Sequence, residues 1–455
     1  MSAKAQVAVI GAGYAGMAAA VELAAAGIPA DVFEASRVLG GRARALELDG
    51  VTVDNGQHLL VGAYRETLRL IDRVHPGGCN DLLLRLPLTL TTPGRLSLRA
   101  PPLPAPLHLA AALLFARGLT IADKLAALRL MRGLKRSRYR LGSDISVAEL
   151  LAARHQPTRL CRLLWEPLCV AALNTPVDSA SARVFVNVLR DSLGGARSAS
   201  DLLLPRVDLG ALFPDGAERF VLARGGRVLR STAVKRITQA ANGYRLDASG
   251  QQFGPYRQAI VAVAPQHLPA LIAPLPGLDE LRLQVGSLAY EPILTCYLAY
   301  PAGARLAAPM LGHSSGWSSI GHLEGLSQWL FDRGQLDGPA GLFAAVISAR
   351  GRHLGLSNDE LAAAIHAEIS TLVPDLPAPR WSRVIIEKRA TFACTPDLAR
   401  PQTQTPLPGL LLAGDYVASD YPATLEAAVR SGVAAANSVI ASAAILTAAA
   451  LRAPQ

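Results

Sequence analysis

Cysteine is scarce and unpatterned. The 455 residues contain five, Cys79, Cys161, Cys169, Cys296 and Cys394, and no two share a CxxC spacing. An odd, scattered set excludes a disulfide framework and a zinc site built on paired thiolates, and it points to a reduced, cytoplasmic compartment. Aromatic residues make up 5% of the chain, too few for the stacking platforms that hold single-stranded nucleic acid. No nucleic-acid-binding motif is present, so nucleic acid is not an expected partner. His108, His155, His267, His313, His322, His353 and His366 stand at no ligand spacing, and no metal is expected. Charge is low at 18% against 51% hydrophobic residues, which excludes a disordered chain. No stretch reaches the ~20 uninterrupted apolar residues of a membrane span. Residues 102–116 are broken by prolines and His108, and residues 433–450 are diluted by Asn437, Ser438, Ser442 and Thr447. A strand-like run begins at residue 6, leaving no room for a signal peptide.

Acidic residues are the minority charge. The net charge is +10, the isoelectric point is near 9.7 and the mean hydropathy is +0.27. An oily, basic chain suits an anionic membrane surface. The length suits two or three domains.

The first 35 residues read as a β-α-β unit. Residues 6–10 are an apolar strand, GAGYAG at 11–16 is a glycine turn, 17–26 is an alanine-rich helix ended by Gly27, and 30–34 is a second strand. In a GxGxxG turn, Gly11 permits the tight bend, Gly13 lets the backbone approach a pyrophosphate, and Gly16 lets helix and strand pack closely. The helix N-terminus offers free N–H groups to that phosphate. Glu34, ending the second strand, is placed to accept the adenosine ribose hydroxyls. NAD and FAD both satisfy this unit. Gly40-Gly41-Arg42 adds a basic side chain that can reach the pyrophosphate from the other side. Residues 410–413 read as a buried strand ending in Gly414-Asp415, whose carboxylate can accept a ribityl hydroxyl. The helix that follows near Thr424 and Leu425 points its positive end at a flavin. Elsewhere the pattern suggests helices at 145–200 with a break at 165–168, a helix over 207–224, strands at 228–237, 244–247, 258–263, 285–300 and 342–349, and a helix over 359–373.

With these motifs the chain resembles the FAD-dependent amine oxidase and phytoene desaturase superfamily. The carriers are GxGxxG with Glu34, GGRA at 40–43, and the Gly414-Asp415 strand followed by PATLEAAVRSG at 422–432. The superfamily pattern has Glu-Gly-Ala where this chain has Glu426-Ala427-Ala428. The resemblance implies non-covalent FAD held by Gly11, Ala12, Gly13, Ala15, Gly16, Glu34, Ala35, Gly41, Arg42, Gly56, Gln57, Gly414, Asp415, Thr424 and Leu425, with Val234 contacting adenine through its backbone. The implied fold is α/β: a discontinuous Rossmann-like FAD domain of the GR2 type over 1–75, 205–265 and 405–440, interleaved with a mixed α+β substrate domain over 76–204 and 266–404. A helical tail covers 441–455.

Three inner motifs are similar to the squalene-associated branch of that superfamily: VDNGQHLL at 53–60 with Gly62 and Tyr64, LWEPL at 164–168 with LNTP at 173–176, and EKRATFACTP at 387–396. That resemblance implies reductive removal of the hydroxyl of hydroxysqualene, a C30 isoprenoid lipid, to give squalene for bacterial hopanoid synthesis. A carotenoid-type desaturase is the alternative, and an amine oxidase a more distant one. His58 is the histidine inside a motif that belongs beside the flavin, either as the acid that protonates a leaving hydroxyl or as a hydrogen-bonded positioning residue. Asp54 reads as a loop-orienting or capping residue, and Lys388 as a flavin neighbour or a surface residue. The sequence holds one GxGxxG turn, which leaves the electron donor unassigned. The oily stretch 102–116 followed by Arg117, Lys124, Arg129, Arg132, Lys135, Arg136, Arg138 and Arg140 suggests a monotopic membrane patch at 102–140, and so a protein peripheral to the inner membrane.

Overall fold

The computed structural model describes residues 6–313 and 325–452, with side chains as far as residue 445. His322 lies outside the described residues. A parallel sheet is assembled from both halves of the chain. Its strands lie side by side in the order Arg227–Leu229, Ala30–Phe33, Val7–Ile10, Gln258–Val261 and Leu410–Leu412. Val7–Ile10 is buried at every position, as a parallel strand covered on both faces must be. The helix Tyr14–Ala25 starts at the glycine turn itself, three residues before the apolar pattern suggested, because Gly13 is its N-cap. Against it packs the helix Leu425–Arg452. The two backbones approach so closely that a Cβ on Gly432 would lie 2.0 Å from the Ala15 carbonyl oxygen. Leu425–Ile445 is long and apolar enough to cross a bilayer. Its buried residues Ala427, Val429, Ala435, Ala436 and Val439 instead join the core around the first helix.

Between the third and fourth sheet strands the chain makes an antiparallel meander of Val234–Ala240, Gly243–Ala248 and Gln251–Tyr256. The helix expected over 207–224 is two helices, Leu209–Leu212 and Pro214–Leu222, parted at Phe213 where Pro214 starts the second. No break falls at 165–168, where the chain is helical; the irregularity lies earlier, as a π-turn over Cys161–Trp165 that runs directly into the helix Glu166–Leu173.

The second large sheet is antiparallel throughout rather than mixed. Its order is Met310–Gly312, Trp329–Asp332, Leu342–Ser348, Tyr290–Ala299 and Trp381–Phe392. Side chains alternate between its faces. Leu294, Cys296 and Leu298 pack under the helix Asn358–Ser370 through Leu361 and Ile365. Ile293 and Tyr297 face the core shared with the parallel sheet. Two contacts tie this sheet to its neighbours, the strand Val51–Asp54 and the end of the helix Glu166–Leu173. The Tyr297 hydroxyl donates to the Asp54 carbonyl at 3.0 Å, and Asn174, in a left-handed conformation at a helix end, donates to Pro292 O and Thr391 Oγ1 and accepts from Ala349 N–H.

Candidate active site

The three glycines of the turn are required for different reasons. Gly11 has φ +104°, and a Cβ there would lie 2.5 Å from the Ala262 carbonyl oxygen; at Gly16 it would lie 1.9 Å from Gly11 O. The protein itself forbids a side chain at both. At Gly13 it does not. The backbone is extended, with φ −74° and ψ −177°, and the nearest atoms to an added Cβ, Gly40 O and Gly41 Cα, are 3.9 Å away. A methyl there would occupy the open cradle in front of the helix N-terminus, where a phosphate needs close backbone approach. The residues therefore fit FAD. The Gly40-Gly41 loop closes this cradle, with Gly40 N–H donating to Ala12 O at 2.9 Å. Glu34 is held in place by its own neighbours: Ala12 N–H donates to Oε2 and Ser36 N–H to Oε1, both at 2.8 Å. Each oxygen keeps a lone pair for a ribose hydroxyl. Ala35, exposed, separates these contacts. Thr232 N–H donates to Glu34 O at 2.7 Å, which brings half-buried Val234 to the same corner. Ala15 is buried against Gly432.

Arg42 and Asp415, expected on separate parts of the cofactor, hold each other. Arg42 Nη2 meets Asp415 Oδ1 at 2.5 Å, and Nη1 donates to Ala390 O at 2.7 Å. Burial works against the guanidinium charge, but the adjacent Asp415 carboxylate and its hydrogen bond lift the Arg42 pKa above its ordinary value. Asn55 Nδ2 donates to Arg42 O at 3.1 Å, so one arginine joins the glycine loop, the end of the parallel sheet and the antiparallel sheet. Gly414 has φ +151°; its N–H donates to Ser431 Oγ at 2.7 Å. Thr424 Oγ1 accepts from Ala427 N–H at 3.2 Å, capping the helix that begins at Leu425. Ala427, where the superfamily has glycine, is buried without disturbing that cap. Glu426, fully buried, accepts from Glu66 N–H, Thr67 N–H and the Thr67 hydroxyl at 2.8–3.1 Å. It thereby caps the helix Arg65–Val74.

The loop after strand Val51–Asp54 faces the antiparallel sheet. A Cβ on Gly56 would meet Thr295 Oγ1 at 3.8 Å and His58 Cε1 at 3.9 Å, again leaving room that the protein does not fill. Asp54 Oδ1 accepts from Leu209 N–H at 2.8 Å, and burial pushes its carboxyl up to about 7. It is a capping residue of the fold. His58 Nδ1 lies 2.6 Å from Gly56 O. A carbonyl only accepts, so Nδ1 carries the proton and Nε2 is the free acceptor of the neutral ring. Burial pushes the His58 pKa down, and the Arg42 charge adds to this against the opposing Gly56 contact. Near neutrality His58 is thus a neutral ring whose Nε2 can accept a hydrogen bond. Of its two expected roles, the geometry fits positioning and disfavours the acid. Gln57 Oε1, Thr295 Oγ1 and the Tyr416 hydroxyl are buried without a partner among the described residues. Unsatisfied polar atoms in one neighbourhood mark a place where a ligand completes the hydrogen bonding.

Lys388 points elsewhere. It is exposed and lines a 450 Å³ cleft with Leu294, Leu361 and His353 beside the helix Asn358–Ser370. Trp165 is core, its Nε1 donating to Gln156 Oε1 at 3.0 Å. Tyr421 donates to Asp191 Oδ2 at 2.7 Å and lies under the Arg430 guanidinium. No group of three His, Cys, Asp or Glu able to hold a metal occurs among the described residues. One site candidate escapes sequence reasoning: Thr295 has no motif around it and is brought in by strand pairing. Glu166, within the LWEPL motif, follows a π-turn; its Oε2 is buried without a partner among the described residues and burial raises its carboxyl to about 7.

The chain matches the flavin containing amine oxidoreductase family over residues 14–440. It is 31% identical to hydroxysqualene dehydroxylase of Rhodopseudomonas palustris, across 93% of this chain and 96% of that protein. It is 24% identical to zeta-carotene desaturase of Solanum lycopersicum, across 94% and 80%. Among solved structures, cyclohexylamine oxidase from Brevibacterium oxydans superposes with a TM-score of 0.66 at 18% identity, covering 97% of this chain and 99% of that one.

Proposed function

The chain belongs to the flavin containing amine oxidoreductase family as an FAD-dependent oxidoreductase, and from that membership we propose that it removes the hydroxyl of hydroxysqualene to give squalene. Support for this direction comes from similarity to a dehydroxylase along nearly its whole length. In the reaction the substrate C–O bond breaks, the hydroxyl leaves as water with one added proton, and a hydride forms the new C–H bond. Bound FAD, in its reduced form, supplies that hydride.

The chain's own groups do the rest. The backbone at Gly13 and at the N-terminus of the helix Tyr14–Ala25 receives the phosphates, and Glu34 the ribose. The Arg42–Asp415 pair fixes the edge of the site against Ala390. His58 Nε2 accepts the substrate hydroxyl's hydrogen and so orients the C–O bond. The proton must come from an acid that still carries one at neutral pH and reaches the substrate oxygen. An apolar interior keeps water from the developing allylic cation. Electrons enter from an external donor.

The test is anaerobic mixing of reduced enzyme with hydroxysqualene. Flavin reoxidation with formation of squalene is the expected outcome. A desaturase reading, favoured by the similarity to zeta-carotene desaturase, predicts instead that oxidised enzyme is reduced by a polyene and that hydroxysqualene leaves reduced flavin untouched.

A further inference from the structure

We infer that residues 103–136 form a foot that inserts into an anionic bilayer, with its apolar tip in the acyl region and one basic helix end at the headgroups. Seven of the fourteen exposed large hydrophobic side chains among the described residues fall here: Leu103, Leu107, Leu114, Phe115, Ile121, Leu125 and Leu128. Phe115 and Ile121 are 76% and 77% exposed. They flank the turn between the helices Leu107–Leu114 and Ile121–Arg136. The tip therefore takes residues from both the oily stretch and the segment that reads as basic in sequence.

The longer helix is divided twice. Around its axis, Asp123, Ala126, Ala127, Leu130 and Leu134 are buried, while Ile121, Leu125, Leu128, Arg132 and Lys135 recur at three- and four-residue steps on the opposite, exposed side. Along its axis, the exposed stripe is apolar for two turns and then basic. A Thr120–Asp123 capping box fixes its start, and Lys124 Nζ donates to Leu114 O at 2.7 Å, tying the two helices at the tip. A tip that is apolar and a shoulder that is cationic match the order of layers met on entering a membrane.

The surface also argues against a second copy of this chain as its occupant. Asp123 is the one acidic residue between 101 and 140, and it is buried. Two such faces would bring like charges together, whereas anionic headgroups complement them. On the inner side, Ala126, Ala127, Leu130 and Leu134 are anchored in the large core of the molecule. This inference rests on exposed residues and charge, and it stands whether or not the reaction above is right.

The experiment is co-sedimentation of FAD-loaded full-length protein with vesicles of phosphatidylcholine alone and of phosphatidylcholine with phosphatidylglycerol, at low and high salt. Wild type should sediment with the anionic vesicles and release with salt. Arg132→Gln with Lys135→Gln should weaken binding roughly 30-fold, from about 1 kcal/mol per charge. Phe115→Ser with Ile121→Ser should weaken it at least tenfold at low salt. Leu283→Ser, equally exposed at 76% but remote in sequence, should change nothing. FAD content should stay at wild-type level in all three, which separates loss of the foot from loss of the fold. Undiminished sedimentation of both double variants would overturn the inference. So would a wild-type dimer in solution that Phe115→Ser with Ile121→Ser converts to a monomer without vesicle binding ever being seen.

Discussion

Replacing Gly13 with alanine should separate folding from cofactor binding. The backbone there, φ −74° and ψ −177°, suits any residue, and the new methyl would meet protein atoms only at 3.9 Å. The folded apoprotein should lose less than ~1 kcal/mol, the difference between a good and a poor N-cap. FAD should fare worse, because the methyl occupies the cradle of the pyrophosphate. Losing one hydrogen bond to a charged group costs ~1.5–3 kcal/mol, or roughly 10- to 150-fold in affinity. Gly16→Ala is the contrasting perturbation: its Cβ would sit 1.9 Å from Gly11 O, an overlap no local shift removes, and the protein should fail to fold. FAD titration by flavin fluorescence, alongside urea denaturation of the apoproteins, reads both quantities. A Gly13→Ala protein that binds FAD with the wild-type constant, or that unfolds as readily as Gly16→Ala, would refute the division of roles among the three glycines.

Three further outcomes are expected. The Asp54 carboxyl is raised from 3.8 to about 7, so the folded state holds a proton that the unfolded state releases, and stability falls as pH climbs from about 4 to about 7; Asp54→Asn should flatten that slope, by at most about 4 kcal/mol, in denaturation curves across this range. Arg42→Ala and Asp415→Ala should each raise the FAD dissociation constant about tenfold or more, and the double variant should be far less than additive because the two share one ion pair; strict additivity in a titration series would show that they act separately. The Glu166 carboxyl is likewise raised by burial from 4.5 to about 7, so it too lowers stability as pH climbs through this range; Glu166→Gln should retain FAD and remove that part of the slope, and an unchanged slope in denaturation curves would show that the carboxyl is not raised.

The phosphate half of the site was legible because its chemistry is local. Gly11, Gly13, Gly16 and Glu34 sit within one β-α-β unit, and their residue types follow from backbone geometry within that unit. The remainder depends on contacts that chain order hides. Arg42 and Asp415 are each plausible alone, but only the folded chain shows one holding the other across 373 positions. Thr295 is an unremarked strand residue until pairing with the strands around it sets it opposite Gly56. Glu166 sits where helical periodicity slips into a π-turn, and a search for 3.6-residue spacing registers that only as an interruption. The two-helix foot was visible as composition, but its partition into tip and shoulder needed the direction of each side chain.

The parallel sheet has a consequence for how the protein is made. Val7–Ile10 and Ala30–Phe33 leave the ribosome long before Leu410–Leu412, the strand that completes the sheet. At ordinary translation speeds that interval is on the order of tens of seconds. Throughout it, strand Gln258–Val261, once formed, has no neighbour on one side, and an unpaired sheet edge invites association with other nascent chains. Asp415 and the helix from Leu425 arrive later still, so the Arg42–Asp415 side of the site cannot form until they have emerged. Growth conditions that slow elongation should therefore lower the yield of flavin-loaded protein more than that of proteins whose sheets are complete early, and chaperone demand should fall on the nascent rather than the finished chain.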